Sequence, residues 1–139
     1  MNRNKAFFRT EKKQYEEIVK VPATQDYCDE NGNPIEWEFK VLDSKTDSDI
    51  LRSCIKNTDK GTFVDQIDYK LKYITASCVF PELNDVELQN EYGVTLPSHL
   101  LMQLVSNPFE FSTLYDRLIL AIAARKEIKS KRKFEEYSE

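Results

Sequence analysis

The chain has 139 residues, of which 40% are hydrophobic and 32% charged, with a formal net charge of −4. That length supports one core and the composition is that of a folded domain with a well-solvated surface, which excludes a disordered chain. The acidic balance opposes any general attraction to nucleic-acid phosphates or anionic lipid, and no apolar run approaches the ~20 residues of a membrane span.

Residues 1–14 form an N-terminal arm or short helix. The segment MNRNKAFFRTEKK lacks the apolar centre of a signal peptide, so the protein is expected to stay in the cytoplasm. Phe7 and Phe8 would be costly if exposed together, and the expectation is that they tuck against the core. From Tyr15 to Val21 the sequence is rich in β-formers, and Ile35 to Val41 alternates apolar and charged residues. Ile35, Trp37, Phe39 and Val41 should face a core while Glu36, Glu38 and Lys40 face water. Between them Asn31-Gly32 is a favoured hairpin turn, since both residues accept positive φ, and Pro34 marks the start of the return strand. A two-stranded hairpin spanning 15–41 is therefore expected, packed by its Trp37 face on the helices that follow.

The helical part is expected over 43–124. Asp43, Ser44 or Thr46 caps a first helix that places Ile50, Leu51, Cys54 and Ile55 at helical spacing, and Asp59-Lys60-Gly61 ends it in a loop. A second helix from Asp65 to Phe80 carries Ile67, Leu71, Ile74 and Cys78 on one face. Pro81 stops it. Asn84 or Asp85 caps a short helix ended by Gly93, Thr95 and Pro97 open the next, and Leu100, Leu101, Leu104 and Val105 bury one side of that. Asn107-Pro108 starts the last helix, with Glu110 placed to close a capping box and Phe111, Leu114, Leu118, Ile119 and Ile122 at core spacing. Residues 125–139, basic and then acidic, are a charged helical extension or tail. The fold class is α+β: an N-terminal β-hairpin on a mainly α-helical domain of about four to five helices.

The run Phe80-Pro81, Leu83, Asp85, Glu87-Leu88-Gln89, Tyr92-Gly93-Val94 and then Leu100-Leu101 resembles the XkdN-like tail assembly chaperones of tailed phages and defective prophages. Ala6-Phe7-Phe8, Glu17 to Val21 and Gly32 to Trp37 agree with it. The resemblance runs from about Lys5 to about Ala124, and the charged tail departs from the family pattern. It implies a protein with no cofactor, made in the bacterial host and absent from the finished particle. Such a protein holds the tape measure protein soluble while tail tube subunits polymerise around it.

Chemistry for catalysis is sparse. The carboxylate groups Asp47 with Asp49, Glu16 with Glu17, Glu82 with Asp85 and Glu87, and Glu135 with Glu136 all fall at caps or on polar faces. His99 is the one histidine, and Cys28, Cys54 and Cys78 form no metal-binding spacing, so they read as reduced, partly buried thiols. No glycine-rich phosphate loop or hydrolase motif occurs. A non-enzymatic protein that binds other proteins is expected, with no metal and no cofactor.

An apolar helical client would be met by a groove, for which Phe80, Leu83, Leu88, Tyr92, Leu101, Leu104, Phe109 and Phe111 are the candidates; the competing reading is that these residues form the core. Homo-oligomerisation along a long client follows. The alternatives are a structural tail or connector subunit, or a small DNA-binding regulator acting through Lys129, Lys131, Arg132 and Lys133, with Tyr69 and Tyr73 one helical turn apart.

Overall fold

The computed structural model describes residues 3–9 and 18–137, the side chains of 125–137 excepted. After a 3-10 turn, Arg3–Phe7, the elements are β1 (Ile18–Val21), β2 (Trp37–Lys40), α1 (Ser44–Ser53), β3 (Ile55–Thr58), β4 (Gly61–Val64) and α2 (Gln66–Ser77). They continue with β5 (Cys78–Phe80), α3 (Val86–Glu91), α4 (Pro97–Leu104) and α5 (Pro108–Tyr137). The class is α+β, as expected.

β1 and β2 pair antiparallel with Val19 opposite Phe39 and Val21 opposite Trp37. Alternation then sends Val19, Val21, Trp37 and Phe39 to one face, where all four are buried. α5 packs on β1 and α2 on β2 across that face, and α4 packs on α2. Tyr73 and Ile74 from α2, Leu100, Leu101 and Leu104 from α4, and Leu114, Leu118 and Ile122 from α5 complete a single core with the strand residues. The clean alternation of 35–41 thus carries through, although Ile35 and Val41 are only half-buried at its ends.

Several expectations are corrected. The sheet has three strands in the order β1-β2-β5. The second helix stops at Ser77, not Phe80, because residues 78–80 pair with β2, where backbone groups next to Pro81 find partners that a helix end could not offer. Ile67, at the open start of α2, is 77% exposed. The first helix ends at Ser53, and Ile55 lies in β3. The stretch read as a loop is a second hairpin, β3–β4, joined through Asp59-Lys60-Gly61; Gly61 adopts a φ of 125° that a side-chain-bearing residue rarely takes. Its register puts Asn57 opposite Thr62, and the Thr62 hydroxyl donates to Asn57 Oδ1 at 2.8 Å.

Phe7 and Phe8 do not tuck in: they are 87% and 50% exposed. The arm forms its 3-10 turn at the surface, with no buried residue. Residues 15–17 of the first expected strand lie outside the described residues. In the loop from β1 to β2 the Gly32 amide donates to the Asp29 carbonyl, and Gly32 alone, not Asn31, takes positive φ. Leu96, not Thr95, occupies the N-cap of α4, with Pro97 in its first turn. Cys54 is buried and Cys78 half-buried, whereas Cys28 is exposed.

Candidate functional site

Each short helix around the α3–α4–α5 region is set by its own punctuation. Asp85 caps α3, its carboxylate accepting from the Glu87 and Leu88 amides. At the other end the Gly93 amide donates to Asn90 and the Val94 amide to Gln89, a Schellman closure that Gly93 permits at φ 66°. Asn107 Oδ1 accepts from the Phe109 and Glu110 amides to start α5.

Glu110 closes no capping box. Its carboxylate instead crosses to the loop after β1, accepting from the Thr24 hydroxyl at 2.7 Å and the Gln25 amide at 2.9 Å. Two turns later Arg117 donates to the Pro22 carbonyl at 2.6 Å and the Ala23 carbonyl at 3.2 Å. It donates also to the Glu110 carbonyl, so α5 and residues 22–25 are clamped together. The Tyr27 and Tyr92 hydroxyls share a hydrogen bond of 2.8 Å, tying the same loop to the end of α3. Burial first, and then that bond, push the Tyr27 phenol up to about 12.

The eight candidate contact residues divide by depth. Leu83, Leu101 and Leu104 are core residues. Leu88, Tyr92 and Phe111 are partly buried and packed against that core. Phe80 and Phe109 are 47% and 75% exposed, and so are available to another molecule. Three further exposed apolar residues that the sequence reading passed over are Leu96 at the N-cap of α4, Met102 on α4 and Val86 at the start of α3. A stricter count of which face of each short helix is left over after the core is filled could have found all three.

The groups considered for chemistry are accounted for structurally. Asp47 accepts from the Tyr69 hydroxyl and Asp49 pairs with Arg52 at 3.7 Å. Tyr69 and Tyr73 pack with Tyr115 in an edge-to-face cluster where Tyr73 is buried, which leaves no open stacking platform for bases. Burial, foremost, raises the phenols of Tyr69 and Tyr73. His99 is exposed on α4. Among the described residues no group of three or more His, Cys, Asp or Glu could hold a metal ion, and no helix is long and apolar enough to cross a membrane. A concavity at Thr58–Phe63 is lined only by the β3–β4 turn itself. Glu16 and Glu17 lie outside the described residues, and the side chains of Glu135 and Glu136 do too.

A family description of phage XkdN-like tail assembly chaperones matches residues 5–122, from the N-terminal arm into α5. The chain belongs to this family of tail assembly chaperones. The match spans every core element and ends before the charged extension, as the resemblance in sequence implies. A crystal structure of the protein yqbn is similar in fold, with a TM-score of 0.64 at 20% identity, covering 84% of this chain and 92% of that one. No curated protein matches significantly.

Proposed function

We propose that this tail assembly chaperone is non-enzymatic and binds the tape measure protein of its phage or prophage. It would keep that long helical client soluble in the host cytoplasm while tail tube protein assembles around it, and it would be absent from the finished virion. Family membership over residues 5–122 is the observation that carries the reading. The exposed apolar residues of the α4–α5 corner support it. Phe109 on α5 and Leu96 and Met102 at α4 are each about half exposed or more, and Leu88, Tyr92 and Phe111 are partly buried against the core that holds Leu83, Leu101 and Leu104. A rigid aromatic anchor over a packed apolar base suits the apolar face of a helix.

Co-expression with the tape measure protein encoded beside it tests this. The client should be insoluble alone and co-elute with the chaperone when the two are made together. A client that stays insoluble, with the chaperone eluting alone, contradicts the assignment. A structural subunit would instead be retained in purified particles.

A further inference from the structure

The first turns of α5 present two opposite faces. At about 100° per residue, the buried Leu114, Leu118 and Ile122 lie on one side, and Phe109, Thr113 and Asp116 fall on the other, within about 60° of one another. Phe109 is 75% exposed and Asp116 is exposed too. Between them the Thr113 hydroxyl donates back to the Phe109 carbonyl at 2.9 Å, so its one proton is spent inside the helix. The outer stripe therefore begins with an aromatic ring and carries a carboxylate two turns on, about 10 Å along the axis.

A second carboxylate reaches the same place from the loop after β1. The Gln25 amide donates to Glu110 at 2.9 Å, and Asp26 and Phe109 are chain neighbours of that bonded pair. Asp26 is exposed, and its amide donates to the Thr24 hydroxyl at 3.2 Å, which fixes the loop around it. Neither Asp26 nor Asp116 forms an ion pair among the described residues. The cations close by are engaged elsewhere. Arg117 is held by the carbonyls of Pro22, Ala23 and Glu110, and Lys70 lies over the Tyr115 ring, 5.5 Å from its centroid.

The wider surroundings have the same sign. Residues 21–39 and 73–116 contain eleven Asp or Glu and no Lys or Arg, and the Glu110 and Tyr27–Tyr92 bonds tie the two stretches together here. With a chain net charge of −4, the remaining residues are net positive, so the acidity is local to this half. An exposed phenylalanine alone would accept any apolar partner. Covering it beside two unpaired carboxylates in an acidic field favours a partner that brings cations and rejects one that brings further carboxylates.

We propose that the outer stripe of α5 takes a cationic amphipathic helix of the client. An apolar residue of that helix lies on Phe109, a Lys or Arg seven residues along faces Asp116, and a second cation reaches Asp26. Seven residues span the same ~10 Å on both helices, so the spacing matches when the axes run side by side. This rests on the client reading above and adds a rule of choice: the segments taken are those whose apolar face is flanked by Lys or Arg.

The test uses the purified full chain and three labelled helical peptides of about 18 residues, ~27 Å long, read by fluorescence anisotropy. The first is an amphipathic Leu/Lys sequence, the second the same with Glu for Lys, and the third a scramble of the first that has no apolar face. The Leu/Lys peptide should bind at least about tenfold more tightly than either of the others, and raising salt should weaken it. Phe109→Ser should weaken it by about tenfold. Asp26→Lys with Asp116→Lys should move the preference to the Leu/Glu peptide, with unchanged circular dichroism. Asp49→Lys with Asp59→Lys, an equal charge change on α1 and the β3–β4 turn, should leave it in place. Failure of the Leu/Lys peptide to bind overturns the proposal, as does equal binding of the three peptides. So does a preference that the Asp26 and Asp116 reversals leave unchanged, or that the distant pair shifts as much. Capture of co-expressed tape measure protein is read separately: client held equally by the wild type and by the Asp26→Lys, Asp116→Lys variant overturns this inference and leaves the chaperone reading standing.

Discussion

Glu110 occupies a helix start where a capping residue is expected, yet its carboxylate holds a loop from the other end of the domain. Replacing it with alanine leaves the buried Thr24 hydroxyl and the Gln25 amide without their acceptor. Glu110→Ala should cost about 1–3 kcal/mol, seen as a lower urea midpoint at unchanged slope, and Glu110→Gln should cost less. The thiols make a second residue-scale prediction. Cys28 should react with a maleimide at once, while Cys54, buried, and Cys78, half-buried, should react only after denaturation. Burial pushes the Cys78 thiol from 9.0 up to about 12. Both this thiol and the Tyr27 phenol are held protonated in the folded state, so each contributes stability that is whole below the unfolded value and lost as pH rises through the folded one. Thermal stability should accordingly be flat near neutrality on their account and fall between about pH 9 and 12. A melting temperature that rises across that window would contradict the burial of these groups.

At the scale of elements, the local signals that survived were those with a stereochemical cause. Asp85, Gly93, Pro97 and Asn107 sit where caps and stops are needed, and the alternation around Trp37 and Phe39 named the inner face of the sheet. A Cβ at Gly93 would meet no atom within 4 Å, so Gly93→Ala should cost only the conformational penalty of a positive φ, about 1 kcal/mol. A larger loss would contradict the open space around that turn.

What the sequence hid is pairing at a distance. Cys78–Phe80 is a strand because β2 lies beside it, and no periodicity within three residues can announce that. Ile55–Val64 was legible in principle, as β-branched and aromatic residues around Asp59-Lys60-Gly61, but a preceding helical pattern through Cys54 and Ile55 masked it. The same blindness blurred the candidate site. Leu83, Leu101 and Leu104 share composition and spacing with a binding face, and only the packed arrangement shows that they face α2, α5 and the sheet instead of solvent. Because Phe63 is 52% exposed on its hairpin, Phe63→Ser should change stability by less than about 0.5 kcal/mol.

The molecule as a whole is a small core with exposed apolar residues left on most of its elements and with no Lys or Arg from Tyr73 to Asp116. Scattered single apolar residues on a surface need no explanation, but Phe109 at 75% exposure is a site where an apolar partner gains free energy by covering it. Affinity would rest on that anchor. The measurement that bears most directly on chaperone function is co-purification of tape measure protein co-expressed with the wild-type chain and with Phe109→Asp. Soluble client recovered with the wild type and lost with Phe109→Asp, while the variant keeps its own fold, is the predicted result. Client that is equally insoluble with both chains, or equally soluble without either, would contradict it.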